Sequence, residues 1–210
     1  MPQSGPQYSQ QKTVETFSPD WLLMAIVLCL FIFVSVVLPA AFSIREPSGG
    51  NYYVENACLI EFNLTGKNLL QYNLKLDVSI TNPNKKCHVY YQQLQASASY
   101  EGEIIASALL PTFRLEHKKT VVIHPAFGGQ SAIGLDDLSV NEFMKQRSDG
   151  FFRINVEINA KMIESLGLLT TDEFSASIWC GLTIPLLPSN SSASGNGGFT
   201  RTECEVKTLI

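Results

Sequence analysis

The chain has 210 residues, 45% of them hydrophobic, and a formal net charge of −4. Its basic residues are dispersed, the longest runs being Lys85-Lys86 and Lys118-Lys119, so the clustered Lys/Arg that phosphate attraction needs is missing and a nucleic-acid partner is excluded. None of the five cysteines stands in a CxxC pair, which leaves a structural zinc site unsupported.

Residues 1–20 are rich in Gln, Ser and Pro, lack an apolar period and read as a disordered tail on the cytosolic side. Residues 21–42 carry no charge, and only Ser35 and Pro39 interrupt their apolar character. As a helix this segment would extend about 33 Å, against a hydrocarbon core of about 30 Å. Residues 21–43 are therefore expected to be a single transmembrane helix. Ala41-Phe42-Ser43 offers a cleavage site, but the apolar run exceeds the core of a cleaved signal and the tail has no basic excess. An uncleaved signal-anchor is the better reading.

The flanking charges do not orient this span, since Lys12 on one side meets only Arg45 on the other. Two glycosylation sequons, at Asn63 and Asn190, lie beyond it, as do Cys58, Cys87, Cys180 and Cys204. An even cysteine number and acceptor sequons both suit a lumenal or extracellular domain. The expected topology is type II, with residues 44–51 as a linker and 52–210 as one domain outside the membrane. Cys29, inside the span, reads as an apolar filler.

The domain alternates with period two. Over 73–81, Leu74, Leu76, Val78 and Ile80 point one way and polar residues the other, which is a half-buried strand. Residues 153–161 and 174–184 repeat the pattern, and shorter or noisier strands fit 53–64, 88–100, 103–110, 120–124 and 202–208. Only 140–147 looks helical, opened by a capping box from Ser139 to Glu142. Seven or eight strands and one short helix give an all-β, antiparallel β-sandwich. Cys180 and Cys204 both share the parity of apolar neighbours on the last two strands. Pairing of those strands across the Ser/Gly/Asn-rich loop at 185–199 would let the two meet, in a bridge worth about 3 kcal/mol, the alternative being two buried thiols. Cys58 with Cys87 is the weaker remaining pair.

A strand ending in Asn82-Pro83-Asn84-Lys85, followed by Val89-Tyr90-Tyr91, Leu110-Pro111-Thr112-Phe113, His117-Lys118-Lys119-Thr120, Cys180-Gly181-Leu182 and Cys204-Glu205-Val206, resembles the plant harpin-induced-like family. Its members are relatives of the non-race-specific disease resistance protein. The resemblance runs from the apolar span to the end, and the block from Asn82 to Tyr91 is its most specific part. It implies a late-embryogenesis-abundant group 2 domain, a fibronectin-III-like sandwich on a single anchor, plasma-membrane residence and a part in defence or stress responses. It also implies that Cys180 and Cys204 are the family's cysteine pair. Cys87-His88 departs from the family's usual Ile-Gly, and Arg114-Leu115-Glu116 from its Tyr-Gln-Gly.

Catalytic signatures are lacking. His88, His117 and His124 fall on separate strands or turns, and no HExxH, GxSxG, phosphate loop or GxGxxG stands in the sequence. Cys87 and His88, as strand neighbours, point to opposite faces. No catalytic residue, metal or cofactor is expected. The expected role is that of a membrane-anchored defence component binding a protein or cell-wall polysaccharide through loops such as 82–86 and 125–133. The alternative is a stress-protective protein, active in desiccation or hypo-osmotic stress without a specific ligand, for which a more polar, soluble chain is expected.

Overall fold

A computed structural model describes residues 19–37, 50–66, 68–166, 169–187 and 198–209. The chain divides into two compact units, Met1–Glu46 and Pro47–Ile210.

In the first unit, α1 (Pro19–Ile32) is followed by a π-helical turn, Phe33–Val37. Ser35 Oγ donates to the Ile32 carbonyl at 3.3 Å, a bond that diverts that carbonyl from a regular α-helical ladder. Among the described residues no helix is long and apolar enough to cross a membrane. The 14 residues of α1 extend about 21 Å. The last part of the expected span, 38–43, lies outside the described residues, as do residues 1–18 of the expected tail and most of the linker.

The second unit is a two-layer antiparallel sandwich. Its strands are β1 (Asn51–Thr65), β2 (Leu69–Thr81), β3 (His88–Tyr100), β4 (Glu103–Leu110), β5 (Phe113–Leu115), β6 (Thr120–Ile123), β7 (Ala126–Ala132), β8 (Phe151–Leu166), β9 (Leu169–Thr170), β10 (Phe174–Pro185), β11 (Thr202–Glu203) and β12 (Glu205–Leu209). One sheet runs β11-β1-β2-β6, with β7 also on β2. The other runs β12-β10-β8-β3-β4, with β5 also on β3 and β9 on β8. The alternation read from the sequence is the alternation that packs. Leu74, Leu76, Val78 and Ile80 of β2 face Ile154, Val156, Ile158 and Ala160 of β8 and Ile178, Cys180 and Leu182 of β10 in one buried layer.

Of the four extra strands, β9 is a two-residue return on β8, and the other three have local causes. Pro111 and Pro125 have no N–H to donate, so each divides an outer strand: β4 and β5 share one edge of β3, and β6 and β7 one edge of β2. The ladder beside β2 still continues through the Leu76 N–H, which reaches the Pro125 carbonyl at 2.9 Å. The expected single strand at 202–208 is two, because the chain passes from one sheet to the other at Cys204.

The helix is longer than the sequence suggested and is capped differently. It is α2, Asp137–Asp149, and its N-cap is Asp136, whose Oδ1 accepts from the Ser139 N–H at 2.8 Å. Ser139 is thus capped rather than capping, and Glu142 accepts from Gln146 Nε2 instead of closing a box. Gly150 ends the helix with φ 80°, a left-handed position that suits a residue without a Cβ. Fully buried Phe143 carries α2 onto Phe62, Phe152 and Tyr100, closing the end of the core away from Asn51.

Candidate functional site

The opposite end, where the chain enters the sandwich at Asn51, gathers the residues of the family block. Asn82, at the end of β2, is 1% exposed. Its N–H donates to the Lys119 carbonyl, and its Nδ2 donates to the carbonyls of Cys87 at 2.8 Å and Glu116 at 3.4 Å. Its Oδ1 accepts from the Asn84 N–H at 3.0 Å, and Asn84 Oδ1 in turn accepts from the N–H groups of Lys86 and Cys87. The Asn84 carbonyl takes the Lys118 N–H. Asn82-Pro83-Asn84 is therefore a brace that ties the 82–87 connection to the 116–119 turn. Its side chains satisfy backbone groups that no strand reaches at that point.

Tyr91 and Tyr90 have opposite fates, as neighbours on a strand must. Tyr91 is buried, stacks on Phe113 at 4.7 Å and shares a hydroxyl hydrogen bond of 2.9 Å with Tyr52. Burial pushes the pKa of both hydroxyls up. Tyr90 is exposed, with the Arg114 guanidinium 5.3 Å above its ring. Burial, and then the Glu164 carboxylate, push the Cys87 thiol up as well, which withholds the thiolate that nucleophilic chemistry needs.

Beside this brace the two histidines read as separate come together. The β3–β5 register pairs Val89 with Leu115, so the next step sets His88 opposite Glu116. His88 Nδ1 contacts Glu116 Oε2, while Arg114 Nε holds the other carboxylate oxygen at 2.8 Å. The rings of His88 and His117 lie 5.4 Å apart, and one donor atom each from His88, Glu116 and His117 fall within 4.8 Å of one another. His124 stands elsewhere, with Asp77 at 2.7 Å. Both departures from the family pattern, Cys87-His88 and Arg114-Leu115-Glu116, lie across this single strand pair. No sequence period reveals the group, because it depends on the register of a three-residue strand.

The cysteines resolve into one bridge. The β10–β12 ladder pairs Trp179 with Glu205, so Cys180 and Cys204 are opposite, with Cα atoms 4.5 Å apart and a disulfide between them. The Cys204 N–H also donates to the Tyr52 carbonyl of β1, so this residue fastens both sheets. Cys58 and Cys87 are free thiols, which corrects the weaker pairing. Cys58 lies opposite Lys75, six residues and so about 20 Å along the sheet from the end that holds Cys87, and a disulfide needs Cα atoms within about 7 Å. Asn63 sits half-buried in β1 and accepts from Arg147 at 3.3 Å. Asn190 lies outside the described residues. Residues 125–133, read as a loop, are mostly β7.

These features define an antiparallel β-sandwich closed by a carboxyl-terminal disulfide and braced by an Asn-Pro-Asn turn. No protein-family model matches the sequence. Among curated proteins of Arabidopsis thaliana, NDR1/HIN1-like protein 10 is 29% identical over 180 residues, spanning 85% of this chain and 79% of that one. NDR1/HIN1-like protein 3 is 28% identical over 188 residues, 87% of this chain and 80% of its own length. NDR1/HIN1-like protein 2 is 31% identical over 157 residues, 74% of this chain and 64% of its own. Over most of its length the chain is similar to NDR1/HIN1-like proteins. Two solved structures, a protein from Archaeoglobus fulgidus and one from Arabidopsis thaliana, overlap at TM-scores of 0.34 and 0.31 with 7% and 16% identity. They cover 64% and 67% of this chain and 98% and 83% of their own.

Proposed function

We propose that the chain is a single-pass, type II plasma-membrane protein that displays its β-sandwich outside the cell in plant defence or stress responses. One observation carries the anchoring: α1 exposes Trp21, Leu22, Leu23, Val27, Leu28 and Phe31, which are spread around its whole circumference. A helix that is apolar all round belongs inside a protein core or a bilayer, whereas a surface helix shows one apolar stripe. The Cys180–Cys204 disulfide supports an oxidising compartment for the sandwich, and with it use of the sequons at Asn63 and Asn190. Kinship with NDR1/HIN1-like proteins supports the defence role. We take the sandwich to be of the fibronectin-III-like, late-embryogenesis-abundant group 2 kind.

The role is binding rather than catalysis, toward a protein or cell-wall polysaccharide. Buried Asn82 is spent on the brace, so contact through the 82–86 connection falls to exposed Lys85 and Lys86. Membrane fractionation separates anchoring from a soluble stress-protective role: full-length protein in the soluble fraction would sink the anchored reading. Topology is tested by endoglycosidase digestion with protease protection of intact vesicles. A size shift with the domain shielded supports type II insertion, and an accessible, unglycosylated domain reverses it. Charge reversal of Lys85 and Lys86 is expected to reduce partner recovery from membranes, and unchanged recovery removes this loop as the contact.

A further inference from the structure

We propose that His88, Glu116 and His117 form a binding site for one divalent transition-metal cation of the zinc type. Two imidazoles and one carboxylate are a donor set that zinc accepts, with a fourth position left to water. Tetrahedral ligands about 2.0–2.1 Å from a zinc ion are roughly 3.3 Å from one another. The three donors here already lie within 4.8 Å. The Glu116 side chain is 44% exposed and His117 is exposed, so both have room for the side-chain rotations that would close the remaining gap.

The surroundings hold the donors in place. His88 and Glu116 are fixed as cross-strand neighbours by the β3–β5 ladder. Glu116 and His117 follow β5 directly into the turn that the Asn82 and Asn84 brace fastens through the Glu116 carbonyl and the Lys118 N–H. Arg114 Nε holds Glu116 Oε1, which leaves Oε2 directed at His88. Arg114 is thus a positioning residue, orienting the carboxylate as outer-shell partners orient metal ligands elsewhere. The competing arrangement is a plain Arg114–Glu116–His88 ion-pair chain that takes no cation.

The experiment is a titration of the full chain, purified in detergent and stripped with a chelator, with Zn²⁺ followed by calorimetry, and with Co²⁺ followed by visible absorption. One site per chain is expected, with the intense d–d absorption that distinguishes four-coordinate Co²⁺ from the hydrated ion. His88→Ala, His117→Ala and Glu116→Gln should each weaken Zn²⁺ binding roughly 10-fold or more, and Arg114→Ala by about 10-fold. His124→Ala should leave it unchanged. Zn²⁺ should also raise the thermal midpoint of the wild-type chain but not that of E116Q, a change at an exposed side chain that leaves the core intact. Absence of a one-to-one isotherm overturns the proposal, as does wild-type affinity in the His88 and His117 variants.

Discussion

Asn82 shows how much one buried amide can organise. Its two side-chain ends serve opposite needs, Nδ2 giving hydrogen bonds to the Cys87 and Glu116 carbonyls and Oδ1 taking one from the Asn84 N–H. Asn82→Ala leaves those groups unpaired in a buried turn and should lower stability by about 1–3 kcal/mol. Asn82→Asp should not rescue it, because a carboxylate would then face two carbonyl oxygens. Urea unfolding reads both: a midpoint shift in Asn82→Ala that Asn82→Asp fails to reverse is the expected result. The turn residues were visible in the sequence as a strand terminator. Their partners across the 116–119 turn were not, since contacts over more than thirty residues leave no local pattern.

At the scale of the element, the last two strands are held by two different devices. The disulfide joins β10 to the crossover at Cys204, closing a loop with a sequence separation of 24. Replacing both cysteines by serine should lower stability by about 3 kcal/mol in the chain-entropy account, measured as a change in unfolding free energy without reductant and with the free cysteines alkylated in both chains. The second device is Arg201, just before β11. It forks onto Glu55 of β1 through Nε at 2.8 Å and a second nitrogen at 3.1 Å, and lies 3.7 Å over the Tyr53 ring. Arg201, and then the Ser79 hydroxyl, hold the Glu55 carboxyl below its usual pKa. A depressed folded-state pKa means a contribution that is complete above the unfolded value of about 4.3 and is lost as pH falls through the folded value. The pair is exposed, so the contribution is small and salt-sensitive. The stability difference between wild type and Arg201→Ala should therefore shrink below about pH 4, and in high salt. A difference independent of pH would assign the effect to the Tyr53 contact instead.

The two compact units differ in kind, one an apolar helix and the other a β-sandwich. Helix α1 is apolar all round, as a helix inside a protein core or a bilayer is, and the proposed anchoring is tested within it. Ile26→Arg at the middle of α1 places a charge where the translocon scale penalises it by about 2.5–3.5 kcal/mol. Full-length protein should then shift from the carbonate-resistant membrane pellet toward the soluble fraction, and unchanged pelleting would show that α1 is not the anchor. The sandwich itself needed no such inference. Its three regular strands could be read residue by residue, because the period of two is a local property of the backbone and each apolar face had to be covered.

The sequence by itself determined the faces of the strands and the all-β class, which depend on spacing within a segment; its motifs carried the family resemblance, and the structure decided for a Cys180–Cys204 bridge over two buried thiols. The tertiary structure alone decided which strands became neighbours, that Pro111 and Pro125 split the outer strands, and that Cys204 is where the chain changes sheets. It also decided that His88 meets Glu116 and His117. The reason is register: a cross-strand partner is set by hydrogen bonding between segments far apart in the chain, and a shift of one residue would have turned either side chain to the opposite face.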